Sequence, residues 1–194
     1  MTDTSPIILC PEPELTTLLE QMTSDEANAM RCLAVLLAEY EGDPRLHFLE
    51  GSLFAEQRDY SAARDAMRRA VDLAPDFAIA RFQLGFLLLT CGEPHAAQEA
   101  WGPLHGLPQD NYLRIFVTGL CHLIRDEFDD AVARLREGIS RNDENPALNN
   151  DMQMIVDEIH RKPRQSGDGD TGGDAPLSPA QLMLQQASFK ATRH

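Results

Sequence analysis

The sequence has few of the residue patterns from which catalytic and metal sites are usually built. None of the four cysteines belongs to a C-x2-C pair, so no zinc site is predicted. The six histidines form no H-E-x-x-H motif, and no serine lies in a G-x-S-x-G elbow. No glycine-rich loop joins a strand pattern to a helix pattern. We therefore predict no catalytic residue, no metal and no cofactor, and we expect the chain not to be an enzyme.

Long apolar runs are also missing. No stretch of 18 apolar residues occurs, so no membrane insertion is predicted. Residues 1–14 lack the basic region and the apolar run of a signal peptide. Cys32, Cys91 and Cys121 lie in apolar helical stretches, where a free thiol acts as a small hydrophobic group. Unpaired cysteines of this kind suit a reducing compartment, and we expect a cytoplasmic location.

Basic residues are outnumbered by acidic residues, and the formal net charge is -14 at pH 7. An acidic protein repels polyanions, so we expect neither nucleic acid nor an anionic membrane surface as a partner. The last nineteen residues reverse this balance, since they contain Lys190 and Arg193 and no acidic residue. Their opposite charge favours the hypothesis that this tail docks back onto the acidic part of the chain.

The alternation of apolar and polar residues that is typical of strands does not extend beyond four or five residues anywhere. Apolar residues instead recur with helical spacing, and they make up 43% of the chain, which is enough for a folded domain. We therefore predict an all-α fold.

Two small residue types recur at a step of 34 residues. The positions are Gly51, Gly85 and Gly119, and then Ala63, Ala97 and Ala131. A fixed period of this length is typical of stacked helical hairpins. Because glycine inside a helix costs about 1 kcal/mol relative to alanine, its recurrence indicates a place where two helices must approach closely.

The chain resembles the tetratricopeptide-repeat (TPR) family over residues 44–143, because its three copies follow the pattern W-x2-L-G-x2-Y and then A-x3-F…P. The first copy has His47, Glu50, Gly51, Phe54, Ala63, Met67 and Pro75 in these places. The second has Arg81, Leu84, Gly85, Leu88, Ala97 and Trp101, and the third has Ile115, Thr118, Gly119, His122, Ala131 and Leu135. The large consensus residues are often replaced. The resemblance implies a TPR-like helical-hairpin solenoid of about three repeats.

The remaining segments are predicted from the same period and from composition. Residues 1–43 would form a helical extension or degenerate repeat, with helices over 12–22 and 25–41, since Ala29 stands one step before Ala63. Asn145 and Pro146 would start a capping helix within 144–162. Residues 163–177 have the composition of a disordered linker, and residues 178–194 that of a short amphipathic tail. The Asp-x-Asp spacing in the linker lacks the closing Glu of a calcium loop.

The resemblance also implies that the first helix of each repeat lines a concave face that binds other proteins. The candidate partner-binding residues on these helices are apolar, namely Phe48, Ile79, Phe82, Phe86, Leu89, Leu113, Phe116, Leu120 and Leu123. A large exposed apolar patch usually marks a contact surface. The row of Lys, Arg and Asn with which the family's co-chaperones bind a C-terminal carboxylate is replaced here, so we expect no ligand of that heat-shock type.

The sequence therefore predicts a non-enzymatic protein-interaction module, an adaptor or a chaperone-like protein, that binds a partner peptide or helix in an apolar groove. One alternative is a chaperone similar to those of type III secretion translocators, which share this architecture. Another is a structural subunit or homodimer in which neighbouring helices or a second copy bury the groove. A further alternative is that residues 178–194 occupy the groove themselves.

Overall fold

The computed structural model describes residues 8–161, and within them the chain is all α-helical, with no strand. The linker 163–177 and the tail 178–194 lie outside the described residues. The helices are α1 Glu12–Ser24, α2 Glu26–Glu39, α3 Pro44–Glu56, α4 Tyr60–Leu73, α5 Ala78–Thr90, α6 Pro94–Trp101, α7 Tyr112–Ile124, α8 Phe128–Arg141 and α9 Pro146–Arg161, with a 3-10 helix Gly102–Gly106 after α6. The predicted all-α class is confirmed. Of the helices described, none is long and apolar enough to cross a membrane.

The described residues divide into two compact units, and the boundary falls between Leu84 and Gly85. The division falls inside α5, in the second predicted repeat, rather than at a linker. In the first unit α3 packs on α4, and in the second unit α8 packs on both α7 and α9.

Two helices begin at or next to the positions that the sequence predicts. Asp25 accepts a hydrogen bond from the N–H of Asn28 at 3.1 Å and caps α2. Asn145 accepts one from the N–H of Leu148 at 3.0 Å and caps α9, whose first residue is Pro146. A side-chain oxygen at this position satisfies a backbone donor that the helix leaves free, which stabilises the start of the helix.

The turns inside the three repeats share one backbone conformation. Arg58, Gly92 and Asp126, each 34 residues from the next, have φ of 63°, 81° and 58°. The following N–H donates to the carbonyl five residues earlier each time, at 2.9, 2.9 and 3.0 Å. This left-handed residue with its long hydrogen bond is a Schellman motif, which ends the first helix of each repeat. The 34-residue period is thus present in the backbone as well as in the sequence.

In the first unit, α1 and α2 pack on α3 around one apolar cluster. Its buried members are Cys10, Leu15, Leu18, Ala29, Leu33, Leu36, Leu46, Leu49 and Leu53. Ala29 is fully buried, as expected of a residue that stands one period before Ala63. The N-terminal helix pair is therefore part of the core of this unit.

A polar network ties the start of the described chain to α3. The fully buried Asp43 accepts hydrogen bonds from the N–H of Cys10 at 2.8 Å and from the Nη2 of Arg45 at 2.8 Å. Arg45 also donates to the carbonyl of Cys10 at 2.7 Å and pairs with Glu12. Because a buried carboxylate is costly unless it is paired and hydrogen-bonded, this network makes the position of Asp43 tenable.

The repeated glycines lie where the two helices of a hairpin meet. In the first unit, a Cβ on Gly51 would lie 2.6 Å from the Cγ of Met67 and 3.1 Å from the carbonyl oxygen of Ala63. In the second unit, a Cβ on Gly119 would lie 3.0 Å from a methyl group of Leu135. The packing role that the period indicates for these glycines is confirmed.

The second helix of the second repeat is shorter than its counterparts. α6 has 8 residues, whereas α4 and α8 each have 14. Gly102 and Pro103 follow α6, and the chain continues as a 3-10 helix to Gly106. Proline inside an α-helix removes a hydrogen-bond donor and clashes with the preceding turn, which explains why α6 does not continue.

Candidate partner-binding surface

The structure separates the nine predicted partner-binding residues into two groups. Phe48, Ile79 and Phe86 are half-buried. The other six are buried, with exposed fractions of 4% or less: Phe82, Leu89, Leu113, Phe116, Leu120 and Leu123. The expected continuous, exposed apolar surface is therefore not found at these six positions. Whether any of the nine binds a partner stays a prediction.

Phe116 shows why an apolar face of this kind becomes covered. A Cβ on Gly138 of α8 would overlap the Phe116 ring, so the ring occupies the space that this glycine leaves. The ring of Tyr112 also meets that of Phe116 edge-on, with centroids 6.0 Å apart. Phe116 therefore fills the interior of the α7–α8 hairpin. A helix that is apolar on most of its circumference is usually buried on several sides, and α7 follows this rule.

A partly exposed aromatic pair lies in the first unit. Phe48 of α3 and Phe77, just before α5, meet edge-on with ring centroids 5.4 Å apart. Both rings are half-buried, and so is Ile79, two residues further along the chain. Phe77 is absent from the predicted partner-binding residues, because it lies just before α5 and those residues were placed on the first helix of each repeat. Its position three residues before the buried Ala80 is the signal that could have found it.

Other exposed apolar side chains lie near the start of the described chain. Ile8 and Val35 are 67% and 66% exposed, and Leu9 and Leu19 are 52% and 45% exposed. All four belong to the first unit and precede the three repeats. Reasoning from the repeats alone overlooked them, although they lie in the predicted N-terminal extension.

A polar cavity of about 460 Å³ lies in the second unit, beside the α7–α8 hairpin. It is lined by Gln109, Asp110, Arg114, Ile115, Thr118, Arg134, Glu137 and Arg141. None of the predicted partner-binding residues lines it. Its lining holds three arginines and two acidic residues, although the whole chain is strongly acidic.

One cluster near the α7–α8 turn has metal-ligating side chains. His122, Glu127 and Asp130 place ligand atoms within 4.8 Å of one another. Arg125 donates to Glu127 at 2.7 Å and lies 3.0 Å from the Nδ1 of His122. The hydrogen bond from Arg125, followed by that from His122, lowers the pKa of Glu127 to about 2. A cation would have to displace this guanidinium, so we assign no metal to the cluster.

A comparison with known structures agrees with this architecture. MamA 41-end from Desulfovibrio magneticus RS-1, a TPR-like all-α solenoid, is similar to this chain with a TM-score of 0.55 and 13% sequence identity. The similarity covers 93% of this chain and 92% of that one. No protein-family model and no curated protein sequence matches this chain.

The helical hairpins, the shared turn conformation and the similarity to MamA together define the fold class. The chain has an all-α fold of TPR-like repeats, as the sequence predicts. At 13% identity the comparison establishes the fold and no activity.

Proposed function

We propose that this chain is a non-enzymatic protein-interaction module that binds a peptide or helix of a partner. The support is its TPR-like fold, a class that commonly presents binding surfaces to other proteins. The described residues also offer an apolar surface where such a partner could dock, at the aromatic pair Phe48 and Phe77 and the adjacent Ile79. The predicted cytoplasmic location is part of this proposal.

We favour these rings as the contact surface because they are half-buried, so a partner can reach them, whereas the six other residues are buried. Phe48 also packs against the apolar cluster of the first unit, so its ring is held in place while part of its surface remains accessible. Aromatic rings that are already ordered lose little entropy on binding, and they are enriched among the residues that dominate binding energy. Burial of this apolar surface would contribute about 25 cal/mol per Å² before the costs of association.

Photo-crosslinking from defined positions would test the proposal. A photoreactive phenylalanine analogue is placed at Phe48, and a matched protein carries it at Tyr60, an exposed aromatic residue of α4 in the same unit. We expect irradiation in a lysate of the source cells to join a discrete partner to the protein modified at position 48 and not to the one modified at position 60. Mass spectrometry would identify the partner.

A second variant separates binding from folding. Phe48→Ala should reduce capture of that partner by at least about tenfold, as expected for a residue at the centre of an interface. Its circular dichroism should remain helical. Equal crosslinking from positions 48 and 60, or full capture by Phe48→Ala, would contradict the proposed surface.

Adaptor and chaperone-like roles, including the chaperone of secretion translocators, are finer forms of the same proposal. The structural-subunit alternative draws support from the exposed Ile8, Leu9, Leu19 and Val35, which a second copy could cover. Light scattering on the purified protein distinguishes the two, because a stable homodimer favours the structural subunit. Crosslinking of position 48 to residues 178–194 of the same chain would indicate that the tail occupies the surface.

A further inference from the structure

The polar cavity of the second unit has a charge opposite to that of its surroundings. The chain carries a formal net charge of -14, yet three guanidinium groups, those of Arg114, Arg134 and Arg141, line this one cavity. Its volume of about 460 Å³ falls within the range of small-molecule sites. The side chains of Arg134 and Arg141 are 51% and 48% exposed, so these cations lie at the surface of an otherwise acidic protein, where an anion can reach them.

Arg114 is oriented by the backbone instead of by an acidic side chain. Its Nη1 donates to the carbonyl of Leu107 at 2.6 Å, and it forms no ion pair with a carboxylate of residues 8–161. A guanidinium has five N–H donors, so most of its hydrogen-bonding capacity remains available. Arg114 is half-buried, which strengthens its interaction with an incoming anion relative to a fully exposed arginine.

Arg134 and Arg141 are held together by one carboxylate between them. Glu137 accepts from the Nη1 of Arg134 at 2.8 Å, and its other oxygen lies 3.6 Å from the Nε of Arg141. The positive charges of two arginines are therefore compensated by a single carboxylate. Asp110 is the other acidic residue of the lining, so the arginines outnumber the acids there by one.

The repeat register places small or apolar residues where the third repeat has Arg114 and Arg134. One and two periods before Arg114 stand Ala80 and Leu46, which are both fully buried. The residues one and two periods before Arg134 are Ala100 and Ala66. The third repeat thus has cations where the first two have small or apolar residues, and two of these cations line the cavity.

We infer that this cavity is a binding site for a small oxyanion that carries phosphate or carboxylate groups, with Arg114 and Arg134 as its principal ligands. The planar guanidinium donates two parallel hydrogen bonds to either group, which is the strongest form of this contact. The inference is independent of the proposed partner surface, since it involves other residues in the other unit.

Isothermal titration calorimetry at low ionic strength tests the inference, with pyrophosphate in one series and citrate in another. We expect one anion per chain. Stronger binding of pyrophosphate assigns the site to phosphate esters, and stronger binding of citrate assigns it to carboxylates. The replacement residues in Arg114→Leu and Arg134→Ala are those found at the equivalent positions of earlier repeats, so both variants should keep the fold. Each should weaken binding by about tenfold, the usual effect of losing a hydrogen bond to a charged group.

Two further variants make the test specific. Arg136→Ala removes an exposed arginine of α8 that does not line the cavity, and its affinity should remain within about twofold of the parent protein. Glu137→Gln should strengthen binding by about threefold, because it removes a competing carboxylate. Lack of binding by both anions, or an equal loss in Arg136→Ala and Arg114→Leu, would overturn the inference.

Discussion

The Trp101 ring occupies the space beside Gly85 where any other residue would have its side chain. A Cβ on Gly85 would lie 2.5 Å from the Cδ1 of Trp101 and closer still to its Nε1. Trp101 is fully buried, and it is the largest side chain in the core. The glycine of the second repeat therefore leaves the space that this buried ring occupies.

Gly85→Ala should destabilise the protein by about 2 kcal/mol, since the strain of overpacking outweighs the better helix propensity of alanine. Urea unfolding followed by Trp101 fluorescence would measure the change. The control is Gly102→Ala, where a Cβ meets no atom within 4 Å. That substitution should be neutral or slightly stabilising, and equal losses in the two variants would contradict the packing explanation.

The left-handed turn of the third repeat offers a stabilising substitution. Asp126 adopts a φ of 58°, which glycine occupies without steric cost, whereas Gly92 fills the equivalent place in the second repeat. Asp126→Gly should raise stability by about 0.5 kcal/mol, and Gly92→Ala should lower it by about 1 kcal/mol. Thermal melting would register both. Asp126→Asn separates charge from conformation, because it removes the negative charge and keeps a side chain that tolerates this φ.

Asp43 should contribute to stability in a pH-dependent way. Burial works to raise its pKa, but hydrogen bonds from the Arg45 side chain and from the N–H groups of Arg45 and Cys10 outweigh burial and leave the pKa below its ordinary value. A carboxyl group whose pKa is lowered by folding stabilises the native state above its unfolded pKa. This contribution is lost as the pH falls through the folded pKa.

Asp43→Asn should therefore cost about 2 to 3 kcal/mol at neutral pH and much less in acid, where the parent carboxyl is protonated too. Denaturant unfolding in the two conditions would show the difference. Asp25→Asn is the matched control, since Asp25 is an exposed helix cap and asparagine caps a helix about as well. A pH-independent loss in Asp43→Asn would indicate that only the shape of the side chain matters.

Asp151 should have the opposite pH dependence. Burial in α9 raises its pKa from 3.8 to about 6. The folded state then binds a proton more readily than the unfolded chain, so this group makes the protein less stable as the pH rises from 3.8 to about 6. Asp151→Asn should stabilise the protein by about 1 to 3 kcal/mol above this range and have little effect below it. Melting temperatures measured across the range would test the expectation, and a uniform shift at every pH would contradict it.

Local signals account for the parts of the fold that the sequence predicts well. Asp25 and Asn145 are side chains that cap helices, and the 34-residue step of Gly51, Gly85 and Gly119 marks the helix crossings. Each signal acts over a few residues or within one hairpin. The left-handed turns are not predicted from the sequence, because only Gly92 among the three residues is a glycine.

The candidate surface was predicted less well. The residues Phe82, Phe116 and Leu120 are apolar whether they line an exposed groove or fill a core, and hydrophobicity alone does not distinguish the two. The structure places these three in the interior and leaves Phe48 and Phe77 partly exposed. Nothing local indicates the cavity around Arg114 and Arg134, because its lining comes from two helices and a loop.

The sequence by itself determined the helical class, the repeat period, the main helix caps and the small residues at the hairpin crossings, since these depend on backbone propensities and contacts close along the chain. Only the tertiary structure decided which apolar faces are covered, how Asp43 ties Cys10 to α3, and where three arginines gather. Burial and charge environment depend on which distant segments meet, and a residue's identity does not carry that information.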